Sequence, residues 1–85
     1  MDNFIAHILV VDDDDGIRAL VKKYLNENNF LVTTASSAED ADQKIKIIEF
    51  DLIILDIMMP GKSGLEFIKE NKKKIHTPVI LLTAK

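Results

Sequence analysis

The feature that most constrains this chain is a pair of short aliphatic runs, each closed by aspartate: Ile8-Leu9-Val10-Val11 before Asp12-Asp13, and Leu52-Ile53-Ile54-Leu55 before Asp56. Four aliphatic residues without polar alternation make a strand covered on both faces, the kind that stands in the middle of a parallel sheet. The second run then breaks into Met58-Met59-Pro60-Gly61, whose Pro-Gly pair ends any strand. In open α/β sheets ligands bind outside the carboxyl ends of the strands. Two central strands are therefore expected to deliver acid to one edge.

The rest of the chain fits around that edge. After the first strand, with Asp14 or Asp15 as the cap, apolar residues at Ile17, Leu20, Val21, Tyr24 and Leu25 form the stripe of an amphipathic helix, which Asn28-Asn29 closes. Leu31 to Ala35 is a second strand of β-formers. Ser36-Ser37-Ala38-Glu39 has the spacing of a capping box and opens a second helix along Ala38, Ala41, Ile45 and Ile48. Leu52 to Asp56 is the third strand. Ser63-Gly64-Leu65-Glu66 repeats the box and opens a third helix, with Leu65 and Ile68 expected to face inward, which frays into Asn71 and Lys72-Lys73-Lys74. Pro78 stops any helix, and Val79 to Thr83 is a fourth apolar strand.

This βαβαβαβ alternation predicts a doubly wound parallel sheet with helices on both faces. With strand order 2-1-3-4, the tips carrying Asp12-Asp13 and Asp56 lie side by side at the switch point. Such crowded carboxylates point to a hard divalent cation, Mg²⁺, held by a few carboxylate oxygens and water. With that cation an aspartate can act as a nucleophile toward a phosphoryl group. Thr83 is placed to offer a hydroxyl to the transferred oxygens, and the small Ala84 leaves the approach open.

Composition limits the alternatives. The 85 residues allow one small domain, and a net charge of −3 is too mild to imply a nucleic-acid or membrane partner. No cysteine is present, which excludes disulfide and thiolate chemistry and suits a cytoplasmic setting. The N-terminus lacks a basic n-region, and no apolar run approaches the ~18 residues of a membrane span. Asp14 and Asp15 have a bland reading as caps, Met59 as core filler, and the lysines 69, 72, 73 and 74 as a solvated helix end. His7 and His76 have no companion at metal-ligand spacing and read as surface or boundary residues.

These motifs together resemble the receiver domains of two-component response regulators. Ile8 to Asp14 looks like that family's first strand and acidic pair, Leu55 to Gly61 with Gly64 like its phosphoacceptor loop, and Leu82-Thr83-Ala84-Lys85 like the end of its fourth strand. The wording is most similar to regulators with a winged-helix DNA-binding output domain. The resemblance implies a flavodoxin-like fold and phosphorylation of Asp56 from a phosphohistidine on a sensor histidine kinase. It implies Mg²⁺ bound by Asp13, Asp56 and the backbone carbonyl of Met58, with Asp12 assisting through water. It also implies that Thr83 reorients on phosphorylation, and that the side chains of Met58 and Lys85 tune the lifetime of the acyl phosphate.

One departure accompanies the resemblance. The family adds a fifth strand and two further helices, and here the sequence stops just after the fourth strand. Residues 1–85 are expected to be a receiver domain incomplete at its C-terminus. The lysine that the family places at the end of strand five is missing, and Lys85, two residues after Thr83, is not that residue. The fourth strand is then an apolar edge prone to pairing with a second copy or to exchange of elements. Two other readings compete with the phosphoacceptor: a structural or self-associating fragment that keeps the acidic site without chemistry, and a Mg²⁺-dependent aspartyl-phosphate phosphatase. Against the phosphatase, the position two residues after Asp56, where such enzymes resemble one another in carrying a second acid, is Met58.

Overall fold

A computed structural model of the protein describes residues 4–71 and 76–82. In chain order the elements are β1 (His7–Val11), α1 (Asp15–Glu27), β2 (Leu31–Ala35), α2 (Ala38–Ile45), β3 (Leu52–Asp56), α3 (Gly64–Asn71) and β4 (Val79–Leu82). All strand pairs are parallel and the order is β2-β1-β3-β4. The α/β alternation and the strand order are those expected from the sequence. The register sets Val11 beside Ala35 on one side and Leu55 on the other, and Asp56 beside Leu82. The chain therefore reverses its direction of winding between β1 and β3, at the tips that carry the aspartates.

Burial follows the pleat. Leu9, Val11, Ile53 and Leu55 face α2 and α3 and pack with Ala38, Ala41 and Phe67 into the larger core cluster. Each fully buried side chain of this size contributes about 1.5–3 kcal/mol. Ile8, Val10 and Val32 face the other way, against Val21 and Leu25 of α1. There Leu52 and Ile54 are only half-buried. So β3, expected to be buried on both faces, is sealed on the α2/α3 face and partly open on the other. Among the described residues α1 is the helix on that face, and it lies over β1 and β2.

Local signals set the helix ends. Asp14 caps α1, its carboxylate accepting from Ile17 N at 2.9 Å. Asn28 ends it and Asn29 takes the left-handed conformation, φ 71°. Three expectations need correction. The α2 cap is Ser37, which accepts from Asp40 N at 3.0 Å, while the Asp40 carboxylate accepts from Ser36 N, the residue before the cap, so the cap lies one residue later than Ser36 and Asp40 rather than Glu39 makes the returning bond. That phase points Ala38 and Ala41 into the core. Helix α2 ends at Ile45, and Ile48 packs on the core from the following loop.

The third correction concerns α3, where Leu65 is 56% exposed and Phe67 fully buried. The helix lands on β3 through Gly64, so its inward face runs Gly64, Phe67, Ile68 and Asn71. The capping box of Ser63 and Glu66 forms as expected, with reciprocal bonds of 3.0 and 3.2 Å. The lysines 72–74 lie outside the described residues.

Candidate functional site

The site begins with two buried aspartates held in the same way. Asp12, one residue beyond β1, and Asp56, the last of β3, are both fully buried. Each carboxylate receives the backbone N–H two residues on: Asp14 N donates to Asp12 Oδ1 at 3.0 Å, and Met58 N donates to Asp56 Oδ1 at 3.1 Å. Short local bonds of this kind are what aspartate offers at a turn. Here they aim both carboxylates across the edge of the sheet.

Asp13 completes the group from the exposed side. One carboxylate oxygen from each of Asp12, Asp13 and Asp56 lies within 4.8 Å of the others. Two ionised carboxylates at that spacing repel by about 3–4 kcal/mol at the effective dielectric near a protein surface. The donors are all oxygen, two come from rigid strand ends, and the third stands open to solvent. That set suits a hard cation that keeps part of its water shell. The predicted ligands Asp12, Asp13 and Asp56 are thus brought together.

The loops beside the aspartates are fastened from below. Arg18 of α1 donates to the backbone carbonyl of Asp12 at 2.7 Å and pairs with Asp15, which ties the first turn of the helix to the acidic turn. On the other side, Gly64 N donates to Ile57 O at 3.0 Å. A Cβ on Gly64 would lie 2.4 Å from the Asp56 carbonyl oxygen, so only glycine allows α3 this close to the strand end. Gly61, at φ 75°, turns the loop. Lys62 then reaches Glu70 Oε1 at 2.5 Å and Asp42 Oδ2 at 3.3 Å. Glu70 first, with Asp42, holds the Lys62 ammonium above its ordinary range against the opposing effect of burial.

Met58 is 65% exposed at the rim of the group, whereas Met59 is buried in the core as its bland reading had it. His7 is a boundary residue, bonded to Thr33 Oγ1 at 2.7 Å and edge-on to Phe50. Thr83, Ala84 and Lys85, singled out in the sequence, lie outside the described residues. Sequence reasoning passed over Arg18 and Lys62. A cation in the first turn of a helix, where the dipole disfavours it, was a legible signal for Arg18. Lys62 carried none, because its partners lie 20 residues back and 8 ahead.

Known proteins resemble this arrangement closely. The family model of the response regulator receiver domain matches residues 8–85. Protein PetR of Rhodobacter capsulatus is 47% identical over 79 residues, 93% of this chain and 33% of its own length. Transcriptional regulatory protein ResD of Bacillus subtilis is 44% identical over 78 residues, 92% of this chain and 32% of its own. The chain thus spans about a third of the length of these curated relatives. Among solved structures, the response regulator TrrA of Thermotoga maritima in complex with Mg²⁺–BeF is 48% identical, with a TM-score of 0.87 over 95% of this chain and 71% of that one. TrrA in complex with the histidine kinase ThkA aligns with a TM-score of 0.85, at 48% identity, over 94% of this chain and 70% of that one.

Proposed function

This chain belongs to the response regulator receiver domains, a signalling family, and from that premise we propose that Asp56 is its phosphoacceptor, charged by a sensor histidine kinase. The observation that carries the reading is the juxtaposition of Asp12, Asp13 and Asp56 at the switch point, two of them buried on strand ends. In the proposed step an Asp56 oxygen attacks the phosphorus of a phosphohistidine. The new O–P bond forms as the N–P bond breaks, and the imidazole leaves as the neutral base once it takes a proton from solvent.

Asp13, Asp56 and the backbone carbonyl of Met58 would hold Mg²⁺, with Asp12 acting through water. When bound, that cation neutralises charge on the transferring oxygens. What the chain supplies is position. The Met58 N–H keeps one Asp56 oxygen turned into the loop, the Asp14 N–H does the same for Asp12, and Gly64 lets α3 brace the strand end. The Mg²⁺–BeF complex of TrrA and its complex with a kinase support the cation and the partner.

By the same resemblance, Thr83 would receive the phosphoryl oxygens and reorient, Ala84 would leave the approach open, and Met58 and Lys85 would tune the lifetime. The modification is a single-turnover event whose new dianion shifts a population between two arrangements. Within a longer cytoplasmic protein, of which residues 1–85 form part of the receiver domain, the output is transcriptional regulation, as the name of ResD suggests. This domain itself would touch neither nucleic acid nor membrane, and no helix among the described residues is long and apolar enough to cross one. Self-association of the chain through the outer edge of β4, where Ile80 is 49% exposed, is part of the same reading. The test is adduct formation with beryllium fluoride and Mg²⁺, followed by fluorine NMR. Bound signals that vanish on chelation and in Asp56→Asn support the reading, and their absence in a folded chain rejects it.

A further inference from the structure

Lys62 is an unusual lysine. It sits in the loop that joins the acidic edge to α3, between the left-handed Gly61 and the capping Ser63, yet its side chain is only 20% exposed. Lysines are seldom drawn in this far without partners. Here the ammonium turns back beneath the loop and meets two carboxylates from two helices, Glu70 of α3 at 2.5 Å and Asp42 of α2 at 3.3 Å. Asp42 is itself held, its other oxygen accepting from Asn71 Nδ2 at 2.9 Å, and the same amide donates to Phe67 O at 2.9 Å. One connected network thus joins the loop, α2 and α3. An isolated surface pair contributes little, but a linked, part-buried network fixes geometry.

What the network fixes is the segment that serves the site. Between Asp56 and Gly64 the loop is tied at its start by Ile57 N to Leu82 O at 3.3 Å and by Gly64 N to Ile57 O at 3.0 Å, in its middle by the buried Met59, and near its end by Lys62, the one of these ties that reaches α2 through an ion pair. The span between those anchors contains Met58, whose N–H holds Asp56 Oδ1. We propose that Lys62 is a positioning residue for the acidic site, tying the loop to α2 and α3 so that the Met58 main chain keeps its place against Asp56. The inference rests on the reading of Asp12, Asp13 and Asp56 as a Mg²⁺ site. It adds a residue with no contact to that site which sets the site's affinity.

The test is a Mg²⁺ titration of the ¹⁵N-labelled chain, following the amides of Asp13, Asp56 and Met58, with thermal melting recorded alongside. Lys62→Met is expected to weaken Mg²⁺ about tenfold, the lower end of what losing an outer support costs a metal site. Asp42→Asn, which cuts the same link from α2, is expected to weaken it in the same direction, and Lys62→Arg to keep the wild-type affinity. Wild-type affinity in a folded Lys62→Met and in Asp42→Asn, whatever their melting temperatures, overturns the proposal and leaves Lys62 a structural clamp. If the wild type itself binds no Mg²⁺, the reading of the site falls and the role of Lys62 falls with it.

Discussion

Replacing Gly64 by alanine puts a methyl group where the end of β3 already is. The Cβ would stand 2.4 Å from the Asp56 carbonyl oxygen, 3.0 Å from Ile57 Cα and 3.1 Å from the Asp56 carbonyl carbon. All three are backbone atoms, so no rotamer change relieves the contact. A carbon needs about 3.3 Å from a carbonyl oxygen, so α3 and β3 must separate by roughly 1 Å in an interior packed like a crystal. Overpacking of this kind costs about 1–3 kcal/mol. Alanine returns at most about 1 kcal/mol of helix propensity, less in a first turn.

The net expectation is a loss of about 1–2 kcal/mol, from a total of about 4–13 kcal/mol for a chain of this length. That corresponds to a fall in Tm of about 10 °C. The displaced atom belongs to Asp56, so Mg²⁺ affinity should fall with stability. Gly61→Ala is the control. Nothing lies within 4 Å of its Cβ, and only the left-handed φ of 75° is strained, at a cost of about 1 kcal/mol. Urea and thermal unfolding of both variants decide it. A Gly64→Ala chain with the wild-type midpoint refutes the close approach.

The orientation of α3 makes a second pair of expectations. Phe67→Ala should cost about 3–5 kcal/mol in urea unfolding, and Leu65→Ala, on the exposed side, less than about 0.5 kcal/mol; the reverse order would mean that the helix is turned the other way. The capping box adds a pH dependence. The Ser63 backbone N–H, and then its hydroxyl, hold the Glu66 carboxylate below its ordinary value of 4.5. A carboxylate with a depressed folded pKa adds stability above its unfolded pKa, and that stability is lost as pH falls through the folded value. The difference in urea midpoint between wild type and Glu66→Gln should be steady near neutral pH and shrink on acidification below 4.5, whereas a difference that persists in acid contradicts the assignment.

Much of the fold was legible because its strongest signals are local and agree with one another. The unbroken aliphatic runs Ile8–Val11 and Leu52–Leu55 mark central strands, the crossover rule leaves few layouts, and in the order found the aspartates that end those runs must meet. What escaped was decided by contacts distant in sequence. Ser36 and Ser37 are equally good caps on paper, and the choice falls to Ser37 because that phase buries Ala38 and Ala41. Leu65 and Phe67 compete for the inward position of α3, and the approach of Gly64 to Asp56 settles it. Lys62 matters through the end of a long side chain whose partners no spacing rule reveals, whereas Arg18, three residues after Asp15 in the first turns of α1, carried a local signal that was passed over. The site was legible as three carboxylates, while the supports beneath it were visible only once the helices were in place.

The most direct test of the central claim is the intact mass of the chain after incubation with Mg²⁺ and acetyl phosphate, beside an Asp56→Asn control. The expected result is the gain of one phosphoryl group, absent in the control and after chelation of the metal. A folded chain that gains no mass, or an Asp56→Asn chain that gains the same mass, contradicts the assignment of Asp56 as the phosphoacceptor.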